Sequence, residues 1–165
     1  MEVIIDGYNL IGRDGGMRGA LEHKRNGLIQ QLAIFRQTKN LEVTVVFDGW
    51  QSGLAKEIEE KRGGVKVIFS RLGEKADSVI MRLARLQGSG CVVVTSDREI
   101  RNVVEKFGAT AVTSGEFAEI LRGVDRPYDS SEFTEPERDS SKKGNPRRLP
   151  KADKKRAEIL RKLRS

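Results

Sequence analysis

Short β-branched runs alternate with amphipathic stretches along the first three quarters of this 165-residue chain. Val3-Ile4-Ile5 is bounded by Asp6-Gly7, and Val43-Thr44-Val45-Val46-Phe47 is closed in the same way by Asp48-Gly49. Both read as strands that end in an aspartate. Between them Leu21, Leu28, Leu32 and Phe35 recur at intervals of seven, four and three, the apolar stripe of an amphipathic helix. Residues 65–69 predict a further strand, and Ala76, Val79, Ile80, Leu83 and Leu86 a second helix. A buried strand is expected at 91–95, with a helix after it marked by Ile100, Val103, Val104 and Phe107. A weaker strand at 109–112 then leads into a short helix near 115–121. Strands alternating with helices argue for βαβ units, because parallel neighbours need crossover connections. The expected fold is therefore α/β, a central, mostly parallel sheet flanked by helices.

The pattern stops near Val124. All four prolines, Pro127, Pro136, Pro146 and Pro150, fall at 125–150 among serine pairs and alternating charges that offer little to bury. The expected division is a domain at 1–124, a polar linker at 125–150 and a basic tail at 151–165. Ile159, Leu160 and Leu163 lie on a narrow face of that tail, as in a helix that forms against a partner. Charge follows the same division. The chain carries +7 overall, but 138–165 hold twelve Lys/Arg and three Asp/Glu, which leaves the rest at −2. A clustered basic segment is either the electrostatic footprint of nucleic-acid binding or a solubilising tail.

Several functions are excluded. No apolar run approaches the roughly 20 residues of a membrane helix, and Val3-Ile4-Ile5 follows Met1-Glu2 with no basic leader before it. With a single cysteine the expected compartment is the cytoplasm. There is no Cys/His cluster for zinc, no G-x-G-x-x-G and no phosphate-binding loop of the G-x-x-x-x-G-K-[ST] kind. His23 sits among Glu22, Lys24 and Arg25 on a polar helix face, and Cys91 opens a buried strand, so neither reads as a nucleophile's partner or a thiolate. A dehalogenase-type phosphatase would want a second acid two residues after Asp6, where Tyr8 stands.

Ligands of open parallel sheets bind outside the carboxyl ends of the strands. Here those positions are acidic: Asp6, Asp48 and Asp97 each follow a strand, and Asp77 opens a helix with Glu74 three residues before it. Any one alone reads as a helix cap or turn residue. Several together repel one another unless a cation neutralises them, and oxygen ligands suit Mg2+ or Mn2+. Such a centre activates water for attack on a phosphodiester. Asn9 adds an amide that orients a water or phosphate oxygen, or else forms an Asx turn.

Ile4-Ile5-Asp6-Gly7-Tyr8-Asn9-Leu10-Ile11, Val45-Val46-Phe47-Asp48-Gly49, Glu74-Lys75-Ala76-Asp77 and Val93-Val94-Thr95-Ser96-Asp97 together resemble the successive motifs of NYN domains of the YacP type, which belong to the PIN-like nucleases. The resemblance runs from about Glu2 to Leu121. It implies a metal-dependent endoribonuclease acting on messenger RNA at the ribosome, with Asp6, Asp48, Asp77 and Asp97 as the metal site and Asn9 beside it. Arg101 departs from the neutral polar residue expected there. RNA contacts are expected from Arg13 and Arg18 on a glycine-rich loop, which otherwise is simply solvated, and from Trp50 as a base-stacking ring or a cover for the core edge. The tail adds Lys142, Lys143, Arg147, Arg148, Lys154, Lys155 and Arg156. The alternative is a non-catalytic RNA- or ribosome-binding module that uses the tail alone. A flap-type DNA nuclease of the same architecture would need helical elements for which the chain has little room.

Overall fold

Alternate residues of each central strand face opposite sides of the sheet, as the strand period of two requires. On β1 (Glu2–Asp6), Val3 and Ile5 enter one apolar layer while Ile4 enters the other. On β2 (Glu42–Phe47), Val43, Val45 and Phe47 oppose Val46 in the same way. These runs are buried on both faces, which is why they read as continuous apolar stretches. The computed structural model describes residues 1–12, 18–49, 55–124 and 150–165, giving only the backbone of Arg18 and Gly19.

The remaining strands are β3 (Ile58–Arg62), β4 (Val65–Phe69), β5 (Cys91–Val94) and β6 (Thr110–Val112). The helices are α1 (Gly7–Ile11), α2 (Arg18–Lys39), α3 (Ala76–Gln87), α4 (Arg98–Lys106), α5 (Ser114–Val124) and α6 (Lys151–Arg164). The six strands are ordered β3-β4-β2-β1-β5-β6, all parallel except β3. From β1 the chain steps outward through β2 to β4, crosses back over α3, and continues through β5 to β6 on the other side. The order reverses between β1 and β5, and that is where a doubly wound sheet opens a crevice.

One face is covered by α2, α5 and α6 through Leu32, Phe35, Phe117, Ile120, Ile159 and Leu163. Phe35 and Phe117 meet edge to face at 5.2 Å, and burying each ring contributes about 1.5–3 kcal/mol. The other face is covered by α3 and α4 through Val79, Ile80, Ala84, Ile100 and Val104. Leu86, expected on the stripe of α3, is instead exposed; it stands in the last turn of the helix, at the margin of the face that Val79, Ile80 and Ala84 bury.

Strand β3 has no counterpart in the apolar pattern. Its sequence, IEEKR, is polar because it is an edge strand with mostly exposed side chains. The hairpin to β4 turns on Gly63-Gly64, both with positive φ (56° and 85°), as a two-residue turn with the twist of the flanking strands requires.

The tail helix docks on its own domain. Ile159 and Leu163 are buried in the core with Leu160 packed beside them, so the face expected to await a partner lies against the first face of the sheet. Arg156 Nη2 contacts Glu116 Oε1 at 2.6 Å and Oε2 at 2.7 Å, Arg156 Nε donates to the Ala111 carbonyl, and Lys155 Nζ donates to the Gly108 carbonyl at 2.8 Å. Lys155 and Arg156, expected as RNA contacts, hold the helix in place; Lys154 is exposed. Among the described residues no helix is long and apolar enough to cross a membrane.

Candidate active site

Each of the four aspartates is placed by the start of a helix. Asp6 ends β1 and caps α1, its Oδ1 accepting from the Asn9 N–H at 3.3 Å. Asp97 caps α4, with Oδ1 accepting from the Glu99 and Ile100 N–H groups at 2.8 and 3.2 Å. Thr95 Oγ1 accepts from the Asp97 N–H at 3.1 Å and pins the turn that carries it. The N-cap residue of α3, Lys75, makes no side-chain cap. Asp48, after β2, caps that helix from a distance instead, its Oδ1 accepting from the Ala76 N–H at 2.6 Å. Asp77 then stands in the first turn of α3, where orphan N–H groups favour an anion. Capping and site-building are thus the same act: the Oδ1 atoms of Asp6, Asp48 and Asp97 are fixed by backbone donors, which orients each carboxylate.

Two glycines make room. A Cβ on Gly7 would run into the ring of Phe47, and one on Gly49 would overlap the carbonyl oxygen of Ser70. Ser70 cannot yield easily, since its N–H donates to the Phe47 carbonyl at 3.0 Å, its hydroxyl accepts from Gly49 N–H at 3.0 Å and donates to the Glu74 carbonyl at 2.7 Å. Gly49→Ala is therefore expected to cost about 1–3 kcal/mol and to displace Asp48, a loss that thermal melting would register.

Asp6, Asp48, Asp77 and Asp97 line one cavity of about 420 Å³ together with Tyr8, Asn9, Gly73, Glu74 and Lys75. It lies at the carboxyl ends of the strands, beside the β1/β5 reversal. The Asp6 carboxyl is raised to about 6, by burial first and then by the charges of Asp77, Asp48 and Asp97, with the Asn9 N–H counteracting in part. Asp77 is also raised, by burial first and then by Asp97 and Asp48, with Lys75 opposing. Glu74 lines the cavity but is charge-compensated by Arg71 at 3.4 Å and Arg82 at 3.6 Å.

Carboxylates gathered closely enough to raise one another, as Asp6 and Asp77 are raised, are the donor set a hard divalent cation suits. Among the described residues no three His, Cys, Asp or Glu side chains lie close enough to bind one ion together as they stand.

Asn9 adjoins the acids, as expected, and Tyr8 and Lys75 join the cavity although neither was singled out in the sequence. Tyr8 is held by Arg25, whose Nη1 donates to its hydroxyl at 3.1 Å, and by the ring of Phe47 at 5.0 Å. Cys91 is buried, and burial together with the Glu2 charge pushes its thiol up to about 11, so it stays a packing residue. His23 is exposed on α2. Arg13, Trp50, Lys142, Lys143, Arg147 and Arg148 lie outside the described residues, as does the side chain of Arg18.

A mostly parallel, doubly wound sheet with an acidic cavity at its switch point is the architecture of a PIN-like nuclease. The profile of the YacP-like NYN domain matches residues 3–165, and the chain belongs to that family. The match takes in α6, well past the last motif legible in the sequence. Among solved structures, the chain is similar to Rae1 (YacP) from Bacillus subtilis in a mutant form, with 26% identity, a TM-score of 0.63 and coverage of 75% of this chain and 76% of that one. A second crystal structure of Rae1 (YacP) gives 26% identity and a TM-score of 0.61, over 76% of this chain and 75% of that one. No curated protein matches.

Proposed function

We propose that the chain is a divalent-metal-dependent endoribonuclease that hydrolyses RNA phosphodiester bonds to leave 5′-phosphate and 3′-hydroxyl ends. The observation that carries this reading is the gathering of Asp6, Asp48, Asp77 and Asp97 around one cavity in a chain of a PIN-like nuclease family. Asp6, Asp48, Asp77 and Asp97 would share Mg2+ or Mn2+, some of them through its bound water. A bound ion of this kind lowers the pKa of water and offsets charge on the leaving oxygen. The chain's own groups do the rest. Asn9 offers a neutral polar contact and Lys75 a cation at the cavity wall, each suited to a phosphate oxygen.

RNA would be gathered by the exposed cations of α6, Lys151, Lys154, Arg161 and Lys162, together with Arg13, Arg18, Trp50, Lys142, Lys143, Arg147 and Arg148. The resemblance to YacP-type domains supports messenger RNA on the cytoplasmic ribosome as the setting. The test compares wild type with Asp77→Asn on end-labelled RNA, free and in translating ribosomes, with Mg2+, Mn2+ or EDTA. Internal cuts that vanish with EDTA and fall at least about a hundredfold in Asp77→Asn are expected. Binding without cleavage in every condition would replace the enzyme with an RNA-binding module, and wild-type cleavage by Asp77→Asn would displace the site.

A further inference from the structure

Three segments that follow the carboxyl ends of β1, β5 and β6 are tied together at the edge of the acidic cavity. Asn9 Oδ1 accepts from the backbone N–H of Ser96 at 2.9 Å and from the hydroxyl of Ser114 at 2.5 Å. The Ser114 N–H in turn donates to Ser96 Oγ at 3.3 Å. A backbone N–H can only donate, so the atom of Asn9 that meets it is the amide oxygen. An amide oxygen has two lone pairs, and both are taken. What Asn9 has left to offer the cavity it lines is its N–H2 group.

We propose that Ser114 is a positioning residue that fixes the Asn9 amide with its N–H2 group, rather than its oxygen, presented to the acidic cavity. The substrate consequence rests on the nuclease reading above. A phosphodiester entering among carboxylates meets acceptors, and an N–H2 donor aimed at a non-bridging oxygen is attractive where a flipped amide oxygen would repel it.

Ser114 is suited to the task because it cannot wander. It is 6% exposed and stands at the first position of α5, whose start is closed by a reciprocal capping box. The Thr113 N–H donates to Glu116 Oε2 at 2.9 Å, and the Glu116 N–H donates to Thr113 Oγ1 at 3.2 Å. Glu116 is itself gripped by Arg156 of α6. The C-terminal helix thereby braces the turn that orients Asn9.

The test uses the full chain. In Ser114→Ala the Asn9 side-chain amide resonances, assigned by their loss in Asn9→Ala, are expected to shift and broaden in a ¹⁵N correlation spectrum. RNA cleavage should show kcat lowered about tenfold, the scale of one lost hydrogen bond at a polar site, with KM within twofold. Ser114→Thr, which keeps the hydroxyl, should recover most of the rate. Asn9→Ala/Ser114→Ala should be no slower than Asn9→Ala, since Ser114 acts through Asn9. Should alanine loosen α5 in melting curves, Ser114→Cys keeps the volume with a weak donor and should give the same spectral change. Unchanged Asn9 amide resonances in both variants would overturn the proposal, as would a Ser114→Ala penalty that persists undiminished in the Asn9→Ala background. If wild type cleaves no RNA, the nuclease reading fails while the amide spectrum still decides the positioning.

Discussion

Asp6→Asn is expected to reduce RNA cleavage at least about a hundredfold while making the metal-free protein more stable at pH 7 than the wild type. The two effects share one cause. Asp6 is 8% exposed and surrounded by the charges of Asp77, Asp48 and Asp97, and its carboxyl is raised from 3.8 to about 6. Between those values the folded protein binds a proton that the unfolded chain does not, so stability falls as pH rises from about 4 to 6. Above 6 the full cost of the buried charge stands, about 3 kcal/mol at 1.36 kcal/mol per unit. Asparagine keeps the volume and caps α1 as well as aspartate does, but it carries no charge to desolvate. In EDTA, Asp6→Asn should therefore melt above wild type at pH 7, and the gap should close towards pH 4. Mg2+ or Mn2+ should raise the melting temperature of wild type by binding the folded state, and of Asp6→Asn far less. A variant less stable than wild type at pH 7 in EDTA would mean that the carboxylate is already neutralised by the fold.

The stability of Asp6→Asn bears on why the acids were legible in the sequence when some of their surroundings were not. Asp6, Asp48 and Asp97 follow apolar runs, and a parallel sheet carries the ends of its strands to one edge, so their convergence follows from topology. The capping bonds of Asp6 and Asp97 were equally foreseeable, and a cap leaves each carboxylate a second oxygen for a ligand. What topology cannot supply is contact across distant loops. The reach of Asp48 over 28 residues to the Ala76 N–H, and of Ser114 over 105 residues to Asn9, depend on loop paths that no local pattern encodes. The capping box Thr113-Ser114-Gly115-Glu116 was a readable signal, but it announces a helix start and not what the next hydroxyl touches.

Strand β3 and helix α6 mark the same boundary. An edge strand has no second face to bury, so IEEKR carries no apolar alternation, and only Gly63-Gly64 announces the hairpin. In α6 the narrow face of Ile159, Leu160 and Leu163 was legible as a binding face. Whether its receptor is another molecule or the chain itself depends on the room left beside β6 and α5, which is a property of the assembled sheet.

That docking divides α6 into two faces with opposite expected behaviour. Leu163 is fully buried against the core, and Leu163→Ala is expected to destabilise the protein by about 2–5 kcal/mol. The stability of wild type and variant alike should fall on acidification. Burial tends to raise Glu116, but the Thr113 N–H, Arg156 and the Thr113 hydroxyl outweigh it and hold the carboxyl below its ordinary value. Its contribution is therefore present above the unfolded value of 4.5 and is lost as pH falls through the lower folded one. On the outer face, Lys151, Lys154 and Arg161 are exposed, and replacing all three with glutamine preserves helix propensity and should leave the melting temperature nearly unchanged. The same triple variant should bind RNA more weakly, with the slope of log affinity against log salt reduced by about 2, the value for three lost single-strand phosphate contacts. Melting curves and a salt series on both variants check this division. A triple variant that unfolds early, or that keeps the wild-type salt slope, would show that the outer cations serve the fold and that RNA is captured elsewhere.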